Sequence, residues 1–251
     1  MIHSFLLIGQ SNMAGRGFLN EAPKIDATHI KVLRNGRWQP MYRPVNADRS
    51  FSGSSLAERF AELYAEKHGV DVGLIPCADG GTSLEQWKPG SLLYDHAVYQ
   101  ARLADRTSTI AGVLWHQGEA DCTPRYFTTY AERLTRMLTS LRRDLDLHDV
   151  PILLGGLGDF LARLEKIPEI QQHYPKVNDA LMMAAETLPM TGFVSAEGLS
   201  SNPDNLHFNA NALYEFGQRY FEAFETLRDP DKVFSEKPCE DDALRTEMEL
   251  L

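Results

Sequence analysis

The sequence has few cysteines, little positive charge and no long uninterrupted hydrophobic run. Its three cysteines, Cys77, Cys122 and Cys239, are far apart, and no Cys-x-x-Cys pair occurs among the 251 residues. This spacing argues against a disulfide framework and against a zinc site built from cysteines. The apolar stretch near the start, Ile2–Ile8, is much shorter than the roughly 20 residues that cross a bilayer, so we interpret it as a buried strand.

Basic residues are outnumbered, with 25 Lys and Arg against 35 Asp and Glu, which gives a formal net charge of −10. A nucleic-acid partner requires a basic face, so none is expected. No basic amphipathic stretch suggests a membrane surface, and the chain begins without the basic region and cleavage pattern of a secretory signal. These features predict a cytoplasmic protein without a nucleic-acid or membrane partner. The oligomeric state stays open.

Short apolar runs of strand length alternate with segments of helical period. The predicted strands are Ile2–Ile8, His29–Arg34, Val70–Pro76, Ile110–His116, Val150–Leu154 and Thr191–Ser195. The predicted helices are Leu56–Lys67, Leu92–Leu103, Tyr126–Leu145, Val177–Leu188 and Ala210–Leu227. This alternation is typical of a parallel sheet with helices on both faces. It predicts one doubly wound α/β domain over residues 1–228, with a five- or six-stranded parallel sheet. Residues 229–251, with acidic clusters and two prolines, are expected to form a loosely ordered tail.

Polar segments follow four of the predicted strands, at the sheet edge where ligands of open parallel sheets bind. They are residues 9–15 (Gly-Gln-Ser-Asn-Met-Ala-Gly), 79–83 (Asp-Gly-Gly-Thr-Ser), 115–121 (Trp-His-Gln-Gly-Glu-Ala-Asp) and 204–208 (Asp-Asn-Leu-His-Phe). A purely structural sheet edge has no need for this set of glutamine, glutamate, aspartate and histidine side chains. The four segments therefore predict a site at this edge.

Ser11 is the candidate nucleophile of that site. A serine hydroxyl needs a base that a third group orients, and His207 and Asp204 are close enough in the chain to serve as that pair. The alternative is structural, because Ser11 and Asp204 are both residue types that cap helix N-termini. Taken alone, Ser11 fits the capping interpretation better.

Donors for a developing oxyanion shift this balance towards catalysis, since each donor contributes about 10²–10³ in rate. The backbone N–H of Gly80 or Gly81, the Gln117 amide and the Ser11 N–H are the candidates. Each has a structural alternative: the glycines suit a turn, and Gln117 suits a hydrogen bond to a loop. All of them together at strand ends favour acyl transfer.

The four motifs, which span residues 9–208, resemble the SGNH (GDSL-like) hydrolase superfamily. Within it, the chain is most similar to carbohydrate esterase family 6 and the sialate O-acetylesterase-like proteins. Two departures from the wider superfamily, Gln10 in place of the Asp of Gly-Asp-Ser and Gln117 in place of Asn, are typical of that branch. The resemblance implies a flavodoxin-like sheet and a serine esterase that removes O-acetyl groups from a carbohydrate.

The resemblance also implies roles for individual residues. The implied nucleophile, acid and base are Ser11, Asp204 and His207; the implied oxyanion donors are Ser11, Gly80 and Gln117. Gln10, Asn12, Gly81, Trp87 and Glu119 are interpreted as substrate-binding or loop-supporting residues.

No cofactor and no metal are expected. His116 lacks an H-E-x-x-H arrangement and a third clear ligand, no P-loop motif occurs, and residues 155–158 do not complete a dinucleotide fingerprint. Two alternative functions stay open: an esterase or thioesterase for another small acyl group, and a non-catalytic carbohydrate-binding protein on the same scaffold. The sequence does not indicate which sugar or which acetylated position is the substrate.

Overall fold

The computed structural model describes residues 1–232, 234 and 237. The strands are β1 (Ile2–Gly9), β2 (Ile30–Arg34), β3 (Arg37–Pro40), β4 (Asp71–Pro76), β5 (Thr109–His116), β6 (Ile152–Gly155) and β7 (Thr191–Val194). The α-helices are α1 (Ser11–Ala14), α2 (Leu56–His68), α3 (Leu92–Asp105), α4 (Tyr130–Leu145), α5 (Pro168–Thr187) and α6 (Ala210–Leu227). Short 3-10 helices at Leu84–Trp87, Glu119–Asp121, Phe127–Thr129 and Asp159–Arg163 lie in the loops.

The strands form one sheet in the order β3-β2-β4-β1-β5-β6-β7. Every neighbouring pair is parallel except β2 and β3, which are antiparallel. This confirms the predicted α/β class with a sheet between helices, and six strands run parallel, as expected. The seventh strand, β3, was not expected.

Strand β1 occupies the centre of the sheet, and all eight of its residues are buried. The connection that leaves β1 leads to strands on one side of it, and the chain later crosses to β5 on the other side. In doubly wound sheets such a reversal opens a crevice at the carboxyl ends of the central strands, where ligands bind. The fold therefore places the segment after β1 at the bottom of this crevice.

The helices pack as two groups, with α2 against α6 and with α3, α4 and α5 as successive neighbours. Right-handed crossovers place the two groups on opposite faces of the sheet. The approach of α2 and α6 is so close that a Cβ at Gly217 would collide with the carbonyl of Leu56. Helix α2 begins with a capping box formed by Ser55 and Glu58 and ends at Gly69 in the left-handed conformation.

The predicted strand over 29–34 is one half of a β-hairpin. Asn35 and Gly36 form its two-residue turn, with φ of 52° and 75°, as the Asn-Gly pair favours. Strand β3 then returns along β2 and buries Trp38, which is 6% exposed. The sequence prediction recognised the turn but missed the returning strand, because β3 has only four residues and one buried position.

Helix α5 begins at Pro168, nine positions before the predicted start at Val177. Pro175 lies inside the helix, and a proline that lacks an N–H ordinarily ends a helix. The predicted helix therefore began only after Pro175, whereas the folded helix accommodates this proline.

The first part of the predicted tail packs against the domain, contrary to the expectation. The ring of Phe234 lies 4.3 Å from the ring of His3, and Lys232 Nζ donates to the carbonyl of Asp149 over 2.9 Å. The acidic composition of the segment gave no sign of the Phe234 contact. Residues 238–251 lie outside the described residues. Among the described helices, none is long and apolar enough to cross a membrane.

Candidate functional site

The segment after β1 turns sharply so that Ser11 begins the short helix α1. Gly9 makes this turn possible: its φ is +128°, and a Cβ there would collide with the carbonyl of His116 on the adjacent strand. Ser11 is 6% exposed, and as the first helical residue it has an N–H without an intrahelical partner. No other acceptor for that N–H is found in the part of the chain that the structure describes.

Ser11, His207 and Asp204 form a connected series of hydrogen bonds. The hydroxyl Oγ of Ser11 lies 3.0 Å from His207 Nε2, and His207 Nδ1 lies 2.7 Å from Asp204 Oδ2. Since a carboxylate only accepts, Nδ1 carries the proton of the second bond, and Nε2 is left with the lone pair that faces the hydroxyl. The geometry is that of a nucleophile, a base and an orienting acid.

The loop that carries this pair is ordered by Asp204 itself. Its second oxygen, Oδ1, accepts the N–H groups of Leu206 and His207 over 2.9 and 3.0 Å. Burial raises the pKa of Asp204, but the hydrogen bonds from His207 and from the two backbone N–H groups outweigh it and lower the pKa to about 2. Asp204 is therefore a carboxylate at neutral pH. It does not fill the helix-capping role that its residue type suggested, because its backbone bonds lie in the loop before α6, and the residue that caps α6 is Asn209.

Gly80 lies next to Ser11, but its N–H is already bonded. It donates over 2.9 Å to Asp48 Oδ2, a carboxylate that also forms a two-pronged ion pair with Arg16, with bonds of 3.0 and 2.6 Å. A Cβ at residue 80 would lie 2.5 Å from Arg16 Nη2 and 2.9 Å from Asp48 Oδ2, so a larger residue here would displace the ion pair. The N–H of Gly81, an exposed residue with φ of +77°, has no acceptor within the described residues.

The Arg16–Asp48 pair is almost fully buried, with side-chain exposures of 5% and 4%. Burial raises the pKa of Asp48, yet its hydrogen bonds from Arg16, Ser52 and the Gly80 backbone, together with the Arg16 charge, hold that pKa below its ordinary value. Arg16 thus neutralises the buried carboxylate that accepts the N–H of Gly80. Asp48 lies between β3 and α2 in a loop without motif or period, so the sequence analysis missed it.

Gln117 does not present its amide to Ser11, which corrects the expected oxyanion role. It is completely buried, and its two amide hydrogens go to Thr82 O over 3.0 Å and to Asp121 Oδ2 over 2.7 Å. Its Oε1 accepts the Tyr130 hydroxyl over 2.9 Å. Gln117 therefore joins the loops that follow β4 and β5, the alternative of a loop hydrogen bond that the sequence had left open.

Trp87 also has a supporting position. It is 1% exposed, so its ring has no face available to a sugar. Its Nε1 donates to Thr82 Oγ1 over 3.0 Å, and its ring packs edge to face on Trp115. Gln10, 3% exposed, accepts the N–H of Ala120 at 3.4 Å through its side-chain oxygen.

Asn12 and Glu119 are bonded to each other, with Asn12 Nδ2 donating to Glu119 Oε1 over 2.6 Å. Both residues are buried, so they support the loops and do not line a surface that a substrate could reach. Among the described residues, no group of three or more His, Cys, Asp or Glu side chains could hold a metal ion.

Comparisons with known proteins identify the family of the chain. A family model described as "Carbohydrate esterase, sialic acid-specific acetylesterase" (SASA) matches residues 1–226. The chain is 28% identical over 243 residues to a probable carbohydrate esterase of Arabidopsis thaliana, covering 88% of this chain and 89% of that protein. The X-ray structure from the same plant locus matches with a TM-score of 0.79 at 26% identity, covering 89% of this chain and 98% of that one.

Two further solved structures are similar in fold. NanS matches with a TM-score of 0.67 at 18% identity, over 90% of this chain and 97% of that one. A carbohydrate acetylesterase from Xanthomonas citri matches with a TM-score of 0.68 at 17% identity, over 90% of this chain and 56% of that one.

Proposed function

The chain belongs to the SASA family of carbohydrate esterases, and from this premise we propose that it is a serine esterase that removes O-acetyl groups from a carbohydrate. The observation that carries the proposal is the series Ser11–His207–Asp204, with separations of 3.0 and 2.7 Å. As substrate we propose an acetylated xylan or an acetylated sialic acid. The ground for this choice is the resemblance to carbohydrate esterase family 6 and the sialate esterases.

In the proposed reaction His207 Nε2 takes the hydroxyl proton as Ser11 Oγ attacks the acetyl carbonyl. The tetrahedral intermediate then collapses, His207 returns the proton to the sugar oxygen, and the acetyl group stays on Ser11. Water, activated by the same imidazole, releases acetate and restores the hydroxyl. Asp204 keeps the proton of His207 on Nδ1 and stabilises the imidazolium that forms at each step.

The unbonded N–H of Ser11 is the oxyanion donor that we propose first. The N–H of Gly81, also unbonded among the described residues, is a second candidate. Gly80 can donate only after its N–H leaves Asp48. One preorganised donor of this kind contributes about 10²–10³ in rate.

The test is acetate release from p-nitrophenyl acetate by the wild type and by Ser11→Ala. Ser108→Ala is the matched control, because Ser108 is buried as well but bonds to Ser4 beside the start of β5, at the opposite end of the strands. We expect turnover to disappear in Ser11→Ala and to persist in Ser108→Ala. Equal turnover in the wild type and Ser11→Ala would contradict the proposal, and a folded but inactive wild type would favour the carbohydrate-binding alternative.

A further inference from the structure

Asn12 connects the nucleophile to the loop of the base. It follows Ser11 directly, and its side chain bonds to both neighbours of His207: Nδ2 donates to Leu206 O over 3.2 Å, and Oδ1 accepts Phe208 N–H over 3.1 Å. Asn12 is 1% exposed, so water does not compete for these bonds. The position of His207 relative to Ser11 therefore depends on the orientation of one buried amide.

Glu119 determines that orientation. Its Oε1 accepts the remaining hydrogen of Asn12 Nδ2 over 2.6 Å. A carboxylate only accepts hydrogen bonds, so Asn12 has to turn Nδ2 towards Glu119 and leave Oδ1 for Phe208. A rotated amide would place two acceptors together and would lose the bonds to both sides of His207.

The carboxyl group of Glu119 is otherwise poorly satisfied. It is 2% exposed, its Oε2 has no hydrogen-bond partner within the described residues, and neither has the facing His116 Nδ1, which lies 3.9 Å from Oε1. Burying a carboxylate with so little compensation costs free energy. Such a local cost is typical of positions that serve a function.

His116 supports the same loop by packing. Its Nε2 lies 3.1 Å from the carbonyl of Gly156 and so carries the proton of that bond. Burial lowers the pKa of His116, so the ring is neutral and its Nδ1 has no hydrogen to give Glu119. The ring instead contacts Phe208 edge to face, with centroids 5.6 Å apart. Asn12 thus remains the only hydrogen-bond donor to the Glu119 side chain among the described residues.

We propose that Glu119 is a positioning residue that acts through Asn12 to hold His207 in line with Ser11. The inference rests on the proposed function in one respect, namely that His207 is the base. It assigns Glu119 no contact with substrate.

The test compares Glu119→Ala, Glu119→Gln and Asn12→Ala by two measurements. The first is the kcat and KM of p-nitrophenyl acetate hydrolysis; the second is the low-field proton resonance of His207 Nδ1–H, identified by its loss in His207→Gln. We expect Glu119→Ala to lower kcat by on the order of 10²-fold with little change in KM, and to shift or broaden the resonance. Glu119→Gln keeps an acceptor for Asn12 and should retain most of the wild-type kcat.

Glu58→Ala is the control for general destabilisation. Glu58 is also 2% exposed, but it caps α2 and pairs with Arg43. We expect this variant to lower Tm and to leave kcat and the resonance unchanged. The double variant of Asn12 and Glu119 should lose no more activity than Asn12→Ala alone, because both residues act through one bond.

A Glu119→Ala variant with the wild-type kcat and resonance would overturn the inference. It would also be overturned if Glu58→Ala changed kcat and the resonance as much as Glu119→Ala does. If the wild type has no turnover, the proposed function fails, while the resonance still reports whether Glu119 holds the His207–Asp204 bond.

Discussion

The side chain of Gln117 bonds to three separate segments, so at the residue scale its loss is expected to affect stability directly. Gln117→Ala would leave Thr82 O without its partner in a buried region and would remove one donor from Asp121. Tyr130 Oη would lose the Gln117 side-chain oxygen and keep only the backbone carbonyl of residue 117 as acceptor. We expect the free energy of unfolding to fall by about 1–3 kcal/mol, as measured by urea denaturation.

The control for this substitution is Gln218→Ala, because Gln218 is exposed and bonds only to Glu222 on the same helix. Its loss should change stability by less than about 0.5 kcal/mol. An unchanged stability of Gln117→Ala, combined with a kcat lowered by about 10²–10³, would restore the oxyanion role that the sequence suggested.

The juxtaposition of Ser11 and His207 could be predicted from sequence, because each lies in a short motif next to a strand end. Parallel strands bring such ends to one edge whatever the details of packing. The amide of Gln117 lies at the same edge, and Asp121, which holds one of its hydrogens, belongs to the same motif. Its direction also depends on Thr82 O and Tyr130, which only the tertiary structure brings beside it. Asp48 was beyond prediction, since a loop residue without a motif gives no sign of the N–H that it accepts.

At the scale of elements, α5 shows how a local rule can conceal a longer helix. Pro175 has no N–H for the carbonyl four residues earlier, which is why the sequence prediction started the helix at Val177. The packing of α5 against α4 and β7 holds the helix together through this position. Strand β3 is the complementary case, since its Asn-Gly turn was visible but four residues were too few for a strand pattern.

Replacing Pro175 by alanine should therefore stabilise the protein. Pro175 is exposed, and proline is about 3 kcal/mol less favourable than alanine inside a helix, offset by about 1 kcal/mol because proline restricts the unfolded chain. We expect a gain of roughly 1–2 kcal/mol in the free energy of unfolding and unchanged esterase activity.

Pro168→Ala is the matched control, because Pro168 stands at the start of the same helix. There the missing N–H has no acceptor to satisfy, so this substitution should give no gain. Equal effects of the two substitutions on the free energy of unfolding, measured by urea denaturation, would show that Pro175 does not destabilise the helix.

On the scale of the whole molecule, the start of β1 meets Phe234 at the edge of the sheet opposite the site. His3 of β1 bonds to the Tyr64 hydroxyl over 2.7 Å and is covered by Phe234. Burial, together with the charges of the nearby His68 and the N-terminus, lowers the pKa of His3 to about 4. His3 is therefore neutral in the folded chain at a pH where it would be charged in the unfolded chain.

This difference predicts the pH dependence of stability. Below the ordinary histidine pKa of about 6.5, unfolding takes up a proton at His3, so stability is full above that pH and is lost as pH falls towards 4. Asp204 acts at lower pH: its folded pKa of about 2 lies below the ordinary value, so its contribution persists until pH falls below about 4. Acid should thus weaken the end of the molecule opposite the site before it breaks the His207–Asp204 bond.

His3→Asn tests the first of these steps by urea denaturation at pH 7 and pH 5. We expect the wild type to lose about 1–2 kcal/mol between these two values through His3, and the variant to lose correspondingly less.

A chain that ends at Arg228 should also lose less stability than the wild type between pH 7 and pH 5. Removing Phe234 lets water reach the His3 ring and brings the pKa of His3 back towards its ordinary value. It should also have a lower Tm than the full chain at pH 7, since a packed aromatic contact is gone. If His3→Asn keeps the full pH dependence, the titration belongs to other groups; if the shortened chain keeps the wild-type Tm, the contact of Phe234 with His3 contributes nothing to stability.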